Sequence, residues 1–127
     1  MRVVVAVDSF GDTMTAPEAA RAVADGWHSV APRDELDLAP VSDGGPGFVD
    51  VLSSSARSGP ETQLRPAAGG GLLSRTVRGP HGRDVVATVL LRERTAYVET
   101  AQAIGLHLLS EAERDPRRTT SFGAGQL

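Results

Sequence analysis

This sequence of 127 residues contains no cysteine, and all 13 of its basic residues are arginine, so lysine is also missing. Without cysteine the chain has no disulfide framework, thiolate nucleophile or cysteine zinc site, which fits a reducing compartment. Without lysine it has no Schiff-base nucleophile and no Walker A phosphate loop. The chemistry of this chain must therefore come from other side chains and from the backbone.

Aromatic residues, net charge and long hydrophobic runs are also sparse. Aromatic residues make up 4% of the sequence and hydrophobic residues 40%, which predicts one domain's worth of chain with an aliphatic core. A net charge of −3 provides no basic surface for nucleic acid or an anionic membrane. The apolar run Val3–Val7 is too short for a signal sequence or a membrane span. These features predict a cytoplasmic protein that binds neither nucleic acid nor membrane, and they leave its oligomeric state open.

The first half of the chain has the pattern of a βαβ unit. Valine-rich residues 2–7 predict a buried parallel strand, and the alternation over residues 36–41 predicts a second. Thr15 and Glu18 have the spacing of a capping box, so a helix should begin there. The apolar stripe predicted for this helix contains Ala16, Ala20, Val23, Trp27 and Val30. A further helix is predicted after Pro46.

The second half predicts an antiparallel meander. Strand-like residues 76–78, 85–91 and 95–99 alternate with turn-forming residues 79–82 and 92–94. The whole chain is therefore predicted to be α/β, a mixed sheet with a parallel Rossmann-like N-terminal βαβ part followed by an antiparallel β meander. Residues 119–127 have the pattern of a lead-in to a helix, which fits either a frayed terminus or truncation of a longer fold.

Three polar segments fall beside elements that are predicted to be adjacent in a sheet, the first two directly after strands one and two and the third near the end of the sequence. They are Asp8-Ser9, Asp43-Gly44-Gly45 and Thr119-Thr120-Ser121. In open α/β sheets ligands bind at the carboxyl ends of parallel strands, so this placement favours a phosphate or carboxylate ligand.

Each polar segment also has a purely structural interpretation. Asp8 and Ser9 are turn formers, Asp43 can cap a helix, and the glycines can serve backbone conformation alone. The threonines can likewise act as caps, and Glu99 can be an exposed strand end. The three histidines have no metal-ligand spacing, which argues against zinc.

Taken in order, these segments resemble the N-terminal part of the bacterial glycerate kinase family. Residues 3–16 (VVVAVDSFGDTMTA) are similar to its opening strand and aspartate-serine-phenylalanine-lysine-glycine loop, and residues 40–52 (PVSDGGPGFVDVL) to its DGGEGT segment. Residues 76–82 (TVRGPHG), 97–109 (YVETAQAIGLHLL) and 114–127 (RDPRRTTSFGAGQL) follow in the family's order. Five ordered blocks are more specific than any one motif.

The resemblance implies an enzyme, a kinase that uses ATP and Mg²⁺ to phosphorylate a hydroxyl of the small molecule D-glycerate, with its site between two α/β domains. Residues 1–127 would form the N-terminal portion of such a protein, because family members are roughly three times as long as this chain and exceed the size of one ordinary domain. The rest of the family fold is then absent from this sequence.

The resemblance also implies roles for particular residues. Asp8 would be the base or the metal-organising carboxylate and Asp43 the second carboxylate, so that both are catalytic and both are candidate Mg²⁺ ligands. The residues expected to bind substrate or phosphate are Ser9, Gly44, Gly45, Glu99, Thr119, Thr120 and Ser121.

The chain departs from the family pattern where charge is expected. Gly11, followed by Asp12, stands in place of the loop lysine, Pro46 in place of the glutamate and Phe48 in place of a threonine. A lysine supplies a point charge to phosphate that glycine cannot replace, and an added carboxylate repels ATP. The alternative is therefore a truncated or degenerate, non-catalytic α/β module that binds anions weakly.

Overall fold

The computed structural model describes residues 1–11, 13–55 and 71–127. The chain divides into two compact units, Met1–Gln63 and Leu64–Leu127, which we call the first and second unit. Asp12 lies outside the described residues. Within the described ranges, no helix is long and apolar enough to cross a membrane.

The first unit is built on two parallel strands, β1 (Arg2–Val5) and β2 (Glu35–Leu38). Their pairing continues past the strands as assigned, because the amide of Ala39 donates to the carbonyl of Val5 at 2.9 Å and the amide of Val41 to that of Val7 at 3.0 Å. The carboxyl ends of both strands therefore lie side by side, as the sequence predicted for residues 2–7 and 36–41.

Helix α1 (Ala16–Val30) connects the two strands and begins where the capping box predicts. The amide of Thr15 donates to the Glu18 carboxylate at 2.9 Å, and the amide of Glu18 donates to the Thr15 hydroxyl at 3.4 Å. These two amides lie at the start of the helix, where no earlier helical carbonyl can accept them. The capping box supplies their acceptors instead.

The buried stripe of α1 is narrower than predicted. Its buried residues are all alanines, namely Ala16, Ala19, Ala20 and Ala24. Val23 and Val30 also belong to the apolar stripe seen in the sequence, but their exposed fractions are 43% and 83%. Helical periodicity shows which side is apolar, but the width of the covering surface decides which residues on that side are buried.

Helix α2 (Phe48–Ser55) follows the second polar segment and buries Val49 and Val51. Val49 is the largest side chain that is almost fully buried among the described residues, at 2% exposed. The helix begins two residues after Pro46, so this proline precedes the helix and does not lie in its first turn.

The second unit is an antiparallel meander of three strands in the order β3-β4-β5. Their bounds are Gly71–Arg78, Asp84–Arg92 and Thr95–Val98. Both predicted turns are present. Gly82 has a φ of +78° in the first and Glu93 a φ of +52° in the second, left-handed values that tight turns between strands require.

The core of the second unit lies on one face of this sheet. Val77, Ala87 and Ala103 form its buried centre, and Ile104 and Leu127 pack against them. Ala103 and Ile104 belong to the short helix α3 (Ala101–Ile104). Three single 3₁₀ turns complete the unit, at Leu106–Leu108, Glu111–Glu113 and Phe122–Gln126.

The α/β class, with a parallel first part and an antiparallel second part, is confirmed. In the described ranges the strands form one two-stranded sheet and one three-stranded sheet, so the predicted parallel and antiparallel parts are separate ladders. Alternation and turn residues report which neighbouring strands pair, but they carry no information on pairing between distant strands. The predicted helix lead-in over residues 119–127 forms a 3₁₀ helix at Phe122–Gln126.

Candidate functional site

The first polar segment leaves β1 and enters a loop that is closed by its own hydrogen bonds. The Asp8 carboxylate accepts the amide of Ser9 at 2.7 Å. Farther along, the amide of Phe10 donates to the carbonyl of Met14 at 2.9 Å, and the Thr13 hydroxyl donates to the carbonyl of Phe10 at 2.6 Å. Gly11 has a φ of +54°, a left-handed conformation that suits glycine. The loop therefore holds Asp8 and Ser9, both half-buried, at the end of the strand.

Asp8 and Ser9 line a cleft of about 250 Å³ in the first unit. The first turn of α1 and the beginning of α2 form its other walls, through Thr15–Glu18 and through Pro46, Gly47, Asp50 and Val51. Ligand pockets for drug-sized molecules usually measure about 300–1,000 Å³, so this cleft suits a smaller ligand.

The side chains that line this cleft are acidic wherever they carry charge. They include Asp8, Glu18 and Asp50, and no arginine is among the described lining residues. The hydroxyl and amide of Thr15 donate to Glu18 and lower the pKa of its carboxyl group below the ordinary value, so this carboxylate stays ionised. An anion that enters the cleft therefore needs a cation, or donors from elsewhere, to offset this charge.

The second polar segment forms a turn before α2. The Asp43 carboxylate accepts the amide of Gly45 at 2.8 Å, and the Ser42 hydroxyl accepts the amide of Gly44 at 3.2 Å. Gly44 and Gly47 have φ values of +94° and +91°, so the conformational interpretation of these glycines holds. The helix-cap interpretation of Asp43 does not, because α2 begins five residues later and Asp43 bonds to the turn instead.

Asp8 and Asp43 lie at the same end of the parallel pair. The hydrogen bond from the amide of Val41 to the carbonyl of Val7 places the residue before Asp8 beside the second residue before Asp43. The described cleft lining includes Pro46 and Gly47, which directly follow the second segment, but none of the segment's own residues 43–45. The amides of Gly44 and Gly45 are engaged by neighbouring side chains, so a phosphate would have to displace these partners.

Two carboxylates at one sheet end suit a magnesium ion that is also held by nucleotide phosphates, since Mg²⁺ commonly takes one or two protein carboxylates and fills its remaining positions with phosphate and water. Among the residues that the structure describes, no group of three or more His, Cys, Asp or Glu side chains forms a self-sufficient metal site. Asp8 and Asp43 are therefore the residues that would hold a cation shared with nucleotide phosphates.

Glu99 belongs to the second unit and directly follows β5. It is 4% exposed, so its interpretation as an exposed strand end is wrong. Its backbone carbonyl accepts the amide of Gln102 at 3.1 Å, in the turn that opens α3. No fully buried side-chain nitrogen or oxygen in the described ranges lacks a hydrogen-bond partner, as expected for a carboxylate at this depth.

The third polar segment, Thr119–Ser121, lines a second cavity of about 200 Å³. The apolar part of that lining comes from Pro80, Ile104, Leu106 and Leu109. The amide of Thr120 donates to the carbonyl of Pro80 at 3.0 Å, and its hydroxyl accepts the amide of Phe122 at 3.2 Å. Thr120 thus closes a local turn with the first amide of the terminal 3₁₀ helix, whereas the N-cap residue of that helix is Ser121, which makes no side-chain cap hydrogen bond.

Sequence reasoning missed a polar cluster beside this segment. The Arg83 guanidinium bonds to the Glu113 carboxylate at 2.8 Å, and His81 Nε2 lies 2.8 Å from the Glu113 carbonyl. Arg83 and the amide and hydroxyl of Ser110 lower the pKa of Glu113 to about 2. The only local signal was the spacing of Ser110 and Glu113, which form a capping box, whereas Arg83 lies thirty residues earlier in the chain.

The fold and these loops define an α/β protein that presents acidic and glycine-bearing turns at the carboxyl end of a parallel strand pair. The Glycerate kinase family model matches residues 3–127, and the chain belongs to this family.

Individual relatives agree with this assignment. The chain is 36% identical over 129 residues to the glycerate kinase of Bacillus subtilis, and 46% identical over 131 residues to an uncharacterized protein of Mycobacterium bovis. Each match covers 100% of this chain and 31% of the relative. The structure is similar to that of glycerate kinase 2 from Salmonella typhimurium, with a TM-score of 0.68 and 32% identity, over 99% of this chain and 31% of that one. The chain thus spans about a third of the length of these relatives.

Proposed function

We propose that this chain supplies part of a site for ATP-dependent phosphorylation of D-glycerate. The observation that carries the proposal is the side-by-side placement of the Asp8 and Asp43 turns at one end of the β1–β2 pair, in a member of the Glycerate kinase family. Phosphoryl transfer depends mainly on positioning and on charge stabilisation, and converging turns at strand ends suit both.

Asp8 is proposed as the base, or as the carboxylate that organises the metal. It is half-buried, faces the cleft, and is held by its hydrogen bond to the amide of Ser9. A carboxylate in this position can accept the proton of a substrate hydroxyl as the hydroxyl oxygen attacks the γ-phosphorus. Ser9 lies beside it in the same cleft and can donate its hydroxyl hydrogen to a substrate carboxylate.

Asp43, Gly44 and Gly45 are proposed to face the nucleotide phosphates. If Asp43 turns toward a cation, it releases the amide of Gly45, which can then donate to a phosphate oxygen. With Asp8 it would hold Mg²⁺, which neutralises phosphate charge when bound. Because the charged residues that line the cleft are acidic, such a cation would offset their repulsion of the nucleotide phosphates.

In the second unit, Glu99 and the hydroxyls of Thr119, Thr120 and Ser121 are proposed to bind substrate or phosphate. The three hydroxyl residues line a cavity and so present polar groups to it. Hydroxyl groups donate to and accept from anionic oxygens without adding charge of their own.

A non-catalytic module with weak anion binding is the second candidate, and the cleft itself favours it. Gly11 stands where the family has a lysine, and the described cleft lining carries no cation. Without that cation the affinity of the cleft for phosphate should be low.

A coupled assay for ADP release from Mg²⁺-ATP and D-glycerate, run on the purified chain, decides between the two candidates. Turnover that Asp8→Asn lowers by about a hundredfold or more supports the kinase, because a general base contributes about 10²–10⁴-fold. Asp50→Asn is the matched control, since Asp50 lines the same cleft without a proposed role.

Two results would contradict the kinase proposal. The first is undiminished turnover in a chain that carries both Asp8→Asn and Asp43→Asn. The second is a chain without any turnover that, in calorimetry, binds inorganic phosphate but neither D-glycerate nor Mg²⁺-ATP, which supports the non-catalytic module.

A further inference from the structure

The hydroxyl segment Thr119–Ser121 is bracketed by contacts to one place in the second unit. That place is residues 78–83, where β3 turns into β4, and we call it the hairpin corner. The turn is closed by a hydrogen bond from the amide of Gly79 to the carbonyl of Arg83 at 2.7 Å. A corner built into two long paired strands is a rigid support for whatever it holds.

The hairpin corner contacts the chain at Glu113, which precedes the hydroxyl segment. The Arg83 guanidinium bonds to the Glu113 side chain, and His81 Nε2 lies 2.8 Å from its carbonyl oxygen. The other carboxylate oxygen of Glu113 accepts the amide and the hydroxyl of Ser110, at 3.0 and 2.8 Å. Glu113 is therefore fixed on both sides.

The corner also contacts the segment itself. The amide of Thr120 donates to the carbonyl of Pro80 at 3.0 Å, and Pro80 is buried. This bond restrains the backbone in the middle of the three hydroxyl residues. The Thr119 hydroxyl is in turn directed to the carbonyl of Asp115, 3.3 Å away.

Beyond the segment, the chain closes around Arg78. The amide of Arg78 donates to the side-chain oxygen of Gln126 at 2.8 Å, and the Arg78 guanidinium lies 5.8 Å from the centre of the Phe122 ring. Gly123 is buried, and a Cβ built on it would overlap the carbonyl oxygen of Arg78. Only glycine allows the two backbones to come this close.

We propose that the hairpin corner positions the hydroxyls of Thr119–Ser121, and that Gly123 is the positioning residue that keeps the segment against it. The use of these hydroxyls for substrate or phosphate rests on the proposed function, whereas the positioning itself does not. Hydroxyls held in place before the ligand arrives do not have to be ordered when it binds.

Gly123→Ala is the direct test, and Gly125→Ala is its matched control. Both glycines lie in the same 3₁₀ turn, but a Cβ on Gly125 has no neighbour within 4 Å. Hydrogen exchange and three-bond couplings would be measured by NMR on the complete chain. We expect the amides of Thr120 and Phe122 to exchange about tenfold faster in Gly123→Ala and at the wild-type rate in Gly125→Ala.

Two further readouts separate positioning from a general loss of stability. Amides of β4 should exchange as in the wild type, and the χ1 couplings of Thr119 and Thr120 should change from a single rotamer to averaged values in Gly123→Ala alone. Equal behaviour of the two alanine variants, or faster exchange throughout the second unit, would overturn the proposal.

If Gly123→Ala does not fold, substitutions of Arg83 test the proposal instead. Arg83→Ala should raise exchange at Thr120 by about two- to fivefold, and Arg83→Lys should restore it, because an exposed ion pair contributes modestly. An unchanged Thr120 amide in Arg83→Ala contradicts the positioning role. If the restraint is confirmed but calorimetry detects no binding of D-glycerate or Mg²⁺-ATP to the wild-type chain, the proposed function fails and the positioning stands.

Discussion

The two units hold their polar segments by different means. In the first unit, Asp8 bonds to the next residue and Asp43 to the second residue after it. In the second unit, Thr120 bonds to Pro80 and Gln126 to Arg78, partners separated by forty residues or more. The first unit thus closes its loops locally, and the second relies on contacts between distant parts of the chain.

Loops that are closed locally are easier to predict from a sequence than loops that are held by distant residues. A turn closed by neighbouring residues is encoded in a few positions and can be recognised from them. A loop held by distant partners depends on a fold that brings those partners together. Changes in the polar turns should therefore act locally in the first unit and over long sequence separations in the second.

The largest effect is expected from overfilling the alanine face of α1, which would break the packing on which the first unit depends. Ala20 is 1% exposed, so Ala20→Leu should lower the free energy of unfolding by about 1–3 kcal/mol. Ala22→Leu, on the exposed side of the same helix, should change it by less than about 0.5 kcal/mol. Urea denaturation of both variants measures the difference, and equal losses would show that the buried stripe is assigned incorrectly.

Removing the cap of α1 should have the next largest effect and tests the local character of the first unit. Thr15→Ala loses the hydroxyl that accepts the amide of Glu18, at a cost of about 1 kcal/mol. Ser29→Ala is the control, because its hydroxyl bonds only to the carbonyl of Gly26 within the helix. A thermal unfolding midpoint that falls equally in both variants would contradict a special role for the cap.

A smaller effect is expected at the turn before α2. Asp43→Ala removes the acceptor of the Gly45 amide and should cost about 0.5–1 kcal/mol, since this is one hydrogen bond at an exposed position. Asp43→Asn keeps a carbonyl oxygen there and should stay within a few tenths of a kcal/mol of the wild type. Denaturation midpoints that are indistinguishable between the two variants would show that this bond does not stabilise the turn.

The smallest effect concerns the long-range contact of the second unit and appears as a dependence on pH. Arg83 and Ser110 lower the pKa of Glu113 from 4.5 to about 2, so the folded state binds a proton there less readily than the unfolded state. Its stabilising contribution is therefore present above about pH 4.5 and is lost as the pH falls toward 2.

Glu113→Gln should remove this part of the acid dependence, which is measured as the difference between the stability curves of variant and wild type. Glu111→Gln, at an exposed position in the same 3₁₀ turn, serves as the control. An identical acid profile in wild type and Glu113→Gln would contradict the contact between Arg83 and Glu113.

The success of the sequence predictions follows the range of the interactions involved. The start of α1, both turns of the meander and the adjacent ends of β1 and β2 were predicted, because capping spacing, turn residues and apolar runs lie within short windows. The exposure of Val23 and the burial of Glu99 were not predicted, since burial depends on what the rest of the fold places over a residue.

The candidate site divides in the same way. The first two polar segments could be selected because they directly follow strand-like runs, and the family resemblance supported the choice of all three. The acidic lining of the cleft, with Asp8 opposite residues of α1 and α2, could not be selected, because these residues are separated in sequence.

The order of the amino acids was enough to predict the start of α1, the β1–β2 pair and the turns of the meander, since those features arise from backbone sterics and from bonds between near neighbours. Tertiary structure alone decided that Gly123 meets Arg78 and that Arg83 meets Glu113. Such contacts depend on the folded backbone to bring distant residues together, and no short window of sequence contains both partners.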